Sequence, residues 1–340
     1  MVDILARCDD RKLDEWGVQK GIMQLIDSPR AAELRTLMGS ASEVSGGSAA
    51  NTVSGLADLL GPSGQTAYVG KVSDDRLGHV FARDIRSLGV EYQTPMASSR
   101  DPGEIVDGSS GGRMAAELLA PPGTGCCMVL VTPDGERSMN TYLGASEYLG
   151  PGDIDVDKMK RAEWLYLEGY RFDGPDSQAA FTRAIDACKA GGGRVSLTLS
   201  DPFCVERHRV AFRTLVRDRV DLLFCNQHEL RALYEMEGLD EAIAVAEAEV
   251  DSLACTLGGE GAVVASGGVR NRVPTPAVPV VDVTGAGDLF AAGFLFGVLS
   301  ARPIETCARM GCLAASAVIS HIGARPETNL QVLFRRKGFA

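Results

Sequence analysis

From residue 163 to residue 265 the chain alternates short apolar runs with stretches long enough for helices. Residues 163–167, 194–199, 221–225, 253–257 and 262–265 read as strands. Residues 176–190, 205–216 and 227–249 read as helices, the last broken at Gly238. The strands are apolar along their length instead of alternating, which suits a sheet covered on both faces. The helices between them supply that cover, so the pattern predicts an α/β domain of three layers. The same rhythm places a helix at 52–60, a strand at 66–70, a helix at 76–88, and two more helices after Asp288 and Pro303.

Two regions break the rhythm. Residues 128–132 and 137–142 are strand-like and are joined by Thr132-Pro133-Asp134-Gly135, a strong hairpin turn. Residues 1–45 alternate short apolar runs with turns and carry a helix near 31–38, which is not a βαβ unit. Together, 1–45 and 90–145 predict a small separate β-sheet, leaving 46–89 and 146–340 for the large domain. Residues 95–125 are rich in Gly, Ser and Pro, and 98–122 read as a mobile insertion.

A length of 340 residues allows one large domain or one domain with an appendage. The formal net charge of −11 argues against nucleic acid or an acidic membrane as the main partner, because phosphate backbones need basic patches. The nine cysteines are scattered without metal-ligand spacing and read as reduced thiols, mostly in the core. No run of eighteen apolar residues occurs and the N-terminus lacks the shape of a signal peptide, so a cytoplasmic protein is expected.

The chemistry concentrates in Val280-Val-Asp-Val-Thr-Gly-Ala-Gly-Asp-Leu-Phe290, a β-branched run that turns through Gly-Ala-Gly into a small-residue helix ending near Leu299. The first N–H groups of such a helix lack partners and carry the positive end of its dipole. Glycine lets an anion approach the backbone closely. Asp288 lies in the same first turn. A carboxylate beside an anion hole can take a proton from a hydroxyl while the amides hold a transferring phosphoryl group. The chain has no Gly-x-x-x-x-Gly-Lys-[Ser/Thr], no Gly-x-Gly-x-x-Gly and no Gly-x-Ser-x-Gly, so a P-loop enzyme, a dinucleotide dehydrogenase and a serine hydrolase lack support.

Asp282-Val-Thr-Gly-Ala-Gly-Asp288 resembles the C-terminal signature of the PfkB (ribokinase-like) family of sugar and nucleoside kinases, with Val283 where a Thr is usual. The resemblance implies a three-layer α/β/α ribokinase-like domain with a small β-sheet lid. It also implies a catalytic set of Asp288 as base and Gly285, Ala286 and Gly287 as anion hole. Gly46-Gly47-Ser48-x-x-Asn51 resembles the segment that grips substrate hydroxyls, in the adenosine kinase-like branch especially, and Asp3 matches an Asp that binds two sugar hydroxyls. Arg137 matches a lid arginine that neutralises the transferring phosphate, although an exposed hairpin Arg is equally common. Asn226-Gln-His-Glu229 matches an Asn-x-x-Glu motif whose Glu holds Mg2+ through waters, and it is also a common capping arrangement.

Thr256-Leu-Gly258-Gly-Glu-Gly261 resembles the loop beside the ATP phosphates and ribose, assigning Asn226, Thr256, Gly258 and Gly261 to the nucleotide. Ser320-His-Ile-Gly-Ala-Arg325 resembles a monovalent-cation (K+) loop. Members of the family usually open with one more buried strand ahead of the segment matched by Val2-Asp3, so the completeness of the central sheet is open. The implied reaction is phosphoryl transfer from MgATP to a primary hydroxyl of a ribose-containing small molecule. Adenosine leads on the strength of segments 140–145 and 198–204, with a simple sugar as the alternative acceptor. A non-catalytic nucleotide-binding homologue is a third reading, if the N-terminal strand is absent. The oligomeric state stays open between monomer and homodimer.

Overall fold

A computed structural model describes residues 1–97, 122–134 and 136–339. The expected insertion at 98–122 therefore lies almost wholly outside the described residues. The first half of the chain runs β1 (Val2–Arg7), α1 (Asp10–Glu15), β2 (Met23–Leu25), α2 (Ser28–Met38), β3 (Ser42–Ser45), α3 (Ser48–Leu60) and β4 (Ala67–Tyr68). It continues through α4 (Arg76–Ser87), β5 (Glu91–Tyr92), β6 (Thr124–Val131) and β7 (Arg137–Gly144). Next come α5 (Val156–Arg161), β8 (Trp164–Glu168), α6 (Pro175–Ala190), β9 (Arg194–Thr198), α7 (Pro202–Arg219), β10 (Leu222–Asn226), α8 (Gln227–Tyr234) and α9 (Leu239–Glu249). The last elements are β11 (Ser252–Thr256), β12 (Ala262–Ser266), β13 (Val269–Val273), α10 (Ala286–Leu299), α11 (Ile304–Val318) and α12 (Leu330–Arg336).

The chain divides into two compact units. The first comprises Met1–Gly47, Tyr68–Ser87 and Glu91–Leu149; the second comprises Ser48–Ala67, Leu88–Val90 and Gly150–Ala340. Residues 68–87, expected with the large domain, cluster with the first unit. There β4 pairs with β5, and the rings of Tyr68, Phe81 and Tyr92 pack within 6 Å of one another, at 5.6 to 5.9 Å.

In the first unit a five-stranded sheet has the order β2-β7-β6-β1-β3. The two strands of the expected hairpin, β6 and β7, are antiparallel, with Val131 opposite Arg137. One face of this sheet, carrying Ile4, Cys126, Met128 and Leu130, closes a core with Leu13, Val18 and Leu34. Helix α1 was not foreseen; it starts where Asp9 accepts the Lys12 N–H at 2.9 Å, an ordinary N-cap.

In the second unit the sheet order is β13-β12-β11-β10-β9-β8. Strands β8 to β11 are parallel, β12 pairs antiparallel with β11, and β13 pairs antiparallel with β12. The period-two geometry of a strand sends neighbours to opposite faces. Leu223 and Cys225 of β10 face a core shared with Phe181, Phe212, Leu233 and Ile243. Leu222 and Phe224 face a second core with Phe290, Phe294 and Cys307. Apolar residues on both faces account for the uninterrupted runs in the sequence, and the three-layer α/β/α expectation holds. All nine cysteines are buried free thiols, and no helix among the described residues is long and apolar enough to cross a membrane.

Candidate active site

Parallel strands end together, and their carboxyl ends are where an open α/β sheet offers a ligand crevice. Glu168 ends β8 opposite Thr198, which ends β9; Asn226 ends β10 opposite Thr256, which ends β11. Helix α10 starts beyond them. Gly285 is its N-cap at φ +79, and a Cβ there would lie 2.6 Å from the Ala324 carbonyl oxygen. Both facts require glycine. At Gly287 a Cβ would meet nothing within 4 Å, and the residue is exposed.

The Ala286 N–H bonds to the Val283 carbonyl at 3.2 Å, and the helical ladder begins with the Leu289 N–H on the Gly285 carbonyl at 2.9 Å. The N–H groups of Gly287 and Asp288 come before that ladder and have no intrahelical acceptor, the feature that suits a helix N-terminus to an anion. The preceding Val280–Val283 run is not a strand. The Val281 N–H bonds to Ile319, just past the end of α11, and Val280 and Val283 are exposed. The turn is tied down by Asp282, whose carboxylate accepts the Thr284 N–H at 3.0 Å and the Gly323 N–H at 2.7 Å.

Asp288 is half-buried in the first turn of α10. It accepts the Ser48 hydroxyl at 2.7 Å on Oδ1 and the Asn51 amide at 2.9 Å on Oδ2. Burial pushes its carboxyl above the usual range, and the Asn51 and Ser48 bonds oppose that shift. Ser48 and Asn51 lie three residues apart at the start of α3, on the same face of the helix. The expected Asn51 and Asp288 are thus in direct contact.

Glu168 was missed by the sequence reading. Its carboxyl is raised to about 7, by burial first and by the Asp288 charge second; the Ala49 N–H, Arg171 and the Ser48 hydroxyl act the other way. The Ser48 hydroxyl therefore lies between two carboxyl groups that burial pushes in the same direction, upward, and it has one proton to give. The available signal was a lone carboxylate ending a strand of otherwise apolar residues, Trp164-Leu-Tyr-Leu-Glu168.

The other expected residues fall as follows. Asn226 caps α8 through the His228 and Glu229 N–H groups, and both Glu229 carboxylate oxygens accept from Asn226, at 2.9 and 2.6 Å. The capping arrangement weighed from the sequence is thus present in full. Glu229 is buried, and burial raises its carboxyl to about 7. Gly258 and Gly261 bracket a short turn after β11, both at positive φ, and Thr256 Oγ1 donates to the Cys225 carbonyl at 3.4 Å.

In the first unit the Asp3 carboxylate lies against Gly46, where any Cβ would collide with it, and Gly47 follows at φ +99. The structure thereby brings Asp3 and the Gly46-Gly47 turn together. Arg137 opens β7.

Residues 121–330 match the family described as pfkB family carbohydrate kinase. The chain belongs to the pfkB family of carbohydrate kinases. It is a phosphotransferase of the ribokinase-like fold, and the family's substrates are small sugars and nucleosides. The solved adenosine kinase from Sinorhizobium meliloti is 44% identical, with a TM-score of 0.86 over 99% of this chain and 96% of that one. A probable sugar kinase protein from Rhizobium etli CFN 42 is 41% identical, with a TM-score of 0.87 over 100% of this kinase and 96% of that chain. Adenosine kinase 2 of Arabidopsis thaliana is 25% identical over 363 aligned positions, covering 97% of this kinase and 95% of the plant protein.

Proposed function

We propose that this kinase transfers the γ-phosphoryl group of MgATP to the primary hydroxyl of a ribose-containing small molecule, adenosine first among the candidates. The observation that carries the reading is the seat of Asp288. It is a half-buried carboxylate with two neutral donors on it, next to the Gly287 and Asp288 N–H groups that precede the α10 ladder. A base and an anion site in one turn is what hydroxyl phosphorylation requires, since such transfers rely on positioning and charge stabilisation. Asp288 takes the hydroxyl proton as the oxygen attacks. The Gly285-Ala286-Gly287 turn presents the Gly287 and Asp288 N–H groups to the phosphoryl oxygens, the Ala286 N–H being taken by Val283, and Arg137 offsets their charge.

Asp3 with Gly46 and Gly47 is assigned the vicinal hydroxyls, because two neighbouring O–H donors suit one carboxylate. Thr256, Gly258, Gly261 and Asn226 are assigned the nucleotide. Mg2+, when bound, would neutralise phosphate charge. Glu229 fits it through waters, since direct ligation would break the two bonds that Asn226 makes to its carboxylate. A K+ loop at Ser320–Arg325 and a cytoplasmic setting complete the proposal.

Adenosine is favoured by the 44% identity to the Sinorhizobium adenosine kinase. A simple sugar as acceptor is the second reading, favoured by the nearly equal likeness to the Rhizobium probable sugar kinase. An ADP-release assay over adenosine, other nucleosides, ribose and fructose tests the choice. Adenosine is expected to give the highest kcat/KM; turnover of sugars with none of nucleosides would transfer the assignment to the second reading.

A further inference from the structure

The Asn51 side chain lies between an arginine and an aspartate. Arg325 Nε donates to Asn51 Oδ1 at 3.4 Å, while Asn51 Nδ2 donates to Asp288 Oδ2 at 2.9 Å. A half-turn of a carboxamide exchanges donor and acceptor with hardly any change of shape, so its partners decide which edge faces where. Here they leave no choice. A guanidinium only donates and an ionised carboxylate only accepts, so the N–H2 edge must face Asp288.

The loop around Arg325 is held against the same site. The Gly323 N–H bonds to Asp282 Oδ2 at 2.7 Å, and Ala324 is packed so closely on Gly285 that a Cβ there would stand 2.6 Å from its carbonyl oxygen. His321 braces the loop from behind. Its Nε2 accepts the Glu327 N–H at 3.2 Å, which leaves the ring proton on Nδ1 for the Ile322 carbonyl at 3.1 Å. Arg325 therefore reaches Asn51 from a backbone fixed at both ends.

We propose that Arg325 is a positioning residue for phosphoryl transfer, one that sets the polarity of the Asn51 amide beside the base. The proposal rests on Asp288 being that base. With one Nδ2–H on Asp288, the second can meet only an acceptor, so an incoming hydroxyl is received through its oxygen lone pair. Its own proton then points to Asp288. In the transfer the hydroxyl O–H bond breaks and its proton passes to the Asp288 carboxylate. The hydroxyl oxygen supplies the pair for the new O–P bond, and the γ-phosphorus bond to ADP breaks with its pair left on ADP. With the amide reversed, Oδ1 would compete with Asp288 for the hydroxyl proton and would face a carboxylate with a second acceptor.

The test is a set of Arg325 variants that differ in donor and acceptor character, each measured for kcat, for KM of both substrates and for its thermal midpoint. Arg325→Met and Arg325→Gln should lower kcat by about tenfold, the scale of one orienting hydrogen bond, with KM for ATP unchanged. Arg325→Lys, again a donor only, should recover to within about threefold of the wild type. In an Asn51→Ala background Arg325→Met should cost less than about twofold, because the residue it acts through is gone.

Equal kcat for the Lys and Gln variants, or an Arg325→Met loss of the same size in both backgrounds, would overturn the proposal in favour of a general packing role. A thermal midpoint lowered alike in the Lys, Gln and Met variants would do the same. A wild type that transfers no phosphoryl group to any acceptor would overturn the kinase reading, and this proposal with it, before any variant is compared.

Discussion

Ser48 and Asp288 lie 240 positions apart in the sequence, yet the hydroxyl of the first donates to the carboxylate of the second at 2.7 Å. Two helix N-termini, those of α3 and α10, therefore meet at one carboxylate. The Glu168 carboxyl is the third party, since the same hydroxyl lies against it.

Glu168 should make stability depend on pH. Its carboxyl titrates at about 7 in the fold against an ordinary 4.5, so the folded state holds a proton that the unfolded chain has lost. Stability from this group is complete below about 4.5, falls as pH rises, and is fully lost above about 7. Glu168→Gln keeps an acceptor for the Ala49 N–H and cannot ionise. At pH 8 it should be about 1–2 kcal/mol more stable than wild type, the figure being discounted for partial exposure, with no advantage at pH 5. Thermal melts at the two pH values check this, and a gap that does not change with pH would contradict it.

The two glycines of the turn should respond in opposite ways. Gly285→Ala places a side chain at φ +79 and against Ala324, and should destabilise the protein by about 1–3 kcal/mol. Gly287→Ala enters open space within a helix and should be neutral or stabilising by up to about 1 kcal/mol. Its methyl group would nonetheless crowd the amide assigned here to the phosphoryl group, so kcat should fall at least about tenfold. Chemical denaturation alongside steady-state kinetics separates the two effects.

Substrate choice should depend on Asp3. A site built to bond hydroxyls rejects analogues that lack them, because buried acceptors are left unpaired. Adenosine should be phosphorylated at least about tenfold better than 2′-deoxyadenosine. Asp3→Ala should narrow that gap by harming adenosine most. Equal wild-type kcat/KM on the two nucleosides would remove the diol assignment.

Much of this was legible in the sequence, and the limits have physical causes. The parallel core strands were readable because both faces are apolar, and the turn before α10 because glycine and a first-turn acid have few other uses together. Strand β13 was missed because Val269-Arg-Asn-Arg-Val273 lies at the sheet edge and keeps polar side chains; the Gly267-Gly268 turn ahead of it was the clue. The run at 280–283 is β-branched like a strand, but the backbone there bonds to the end of α11. Asn51 was expected as a hydroxyl ligand from the Gly46-Gly47-Ser48-x-x-Asn51 segment, and its bonds to Asp288 and Arg325 were invisible, because contacts over such separations leave no periodic trace in the chain. Glu168 was hidden for a simpler reason: one polar residue does not alter the pattern of the strand it ends.

Asp288 is the proposed base for phosphoryl transfer to a nucleoside hydroxyl. The most direct measurement is kcat for ATP-dependent phosphorylation of adenosine by wild type and Asp288→Asn, with ATP affinity measured separately by calorimetry. The expected result is turnover by the wild type, a loss of at least about a hundredfold in the variant, and ATP affinity within about twofold, since the amides of the turn remain. A variant that keeps more than about a tenth of wild-type kcat would contradict it, because the proton would then have another acceptor or need none.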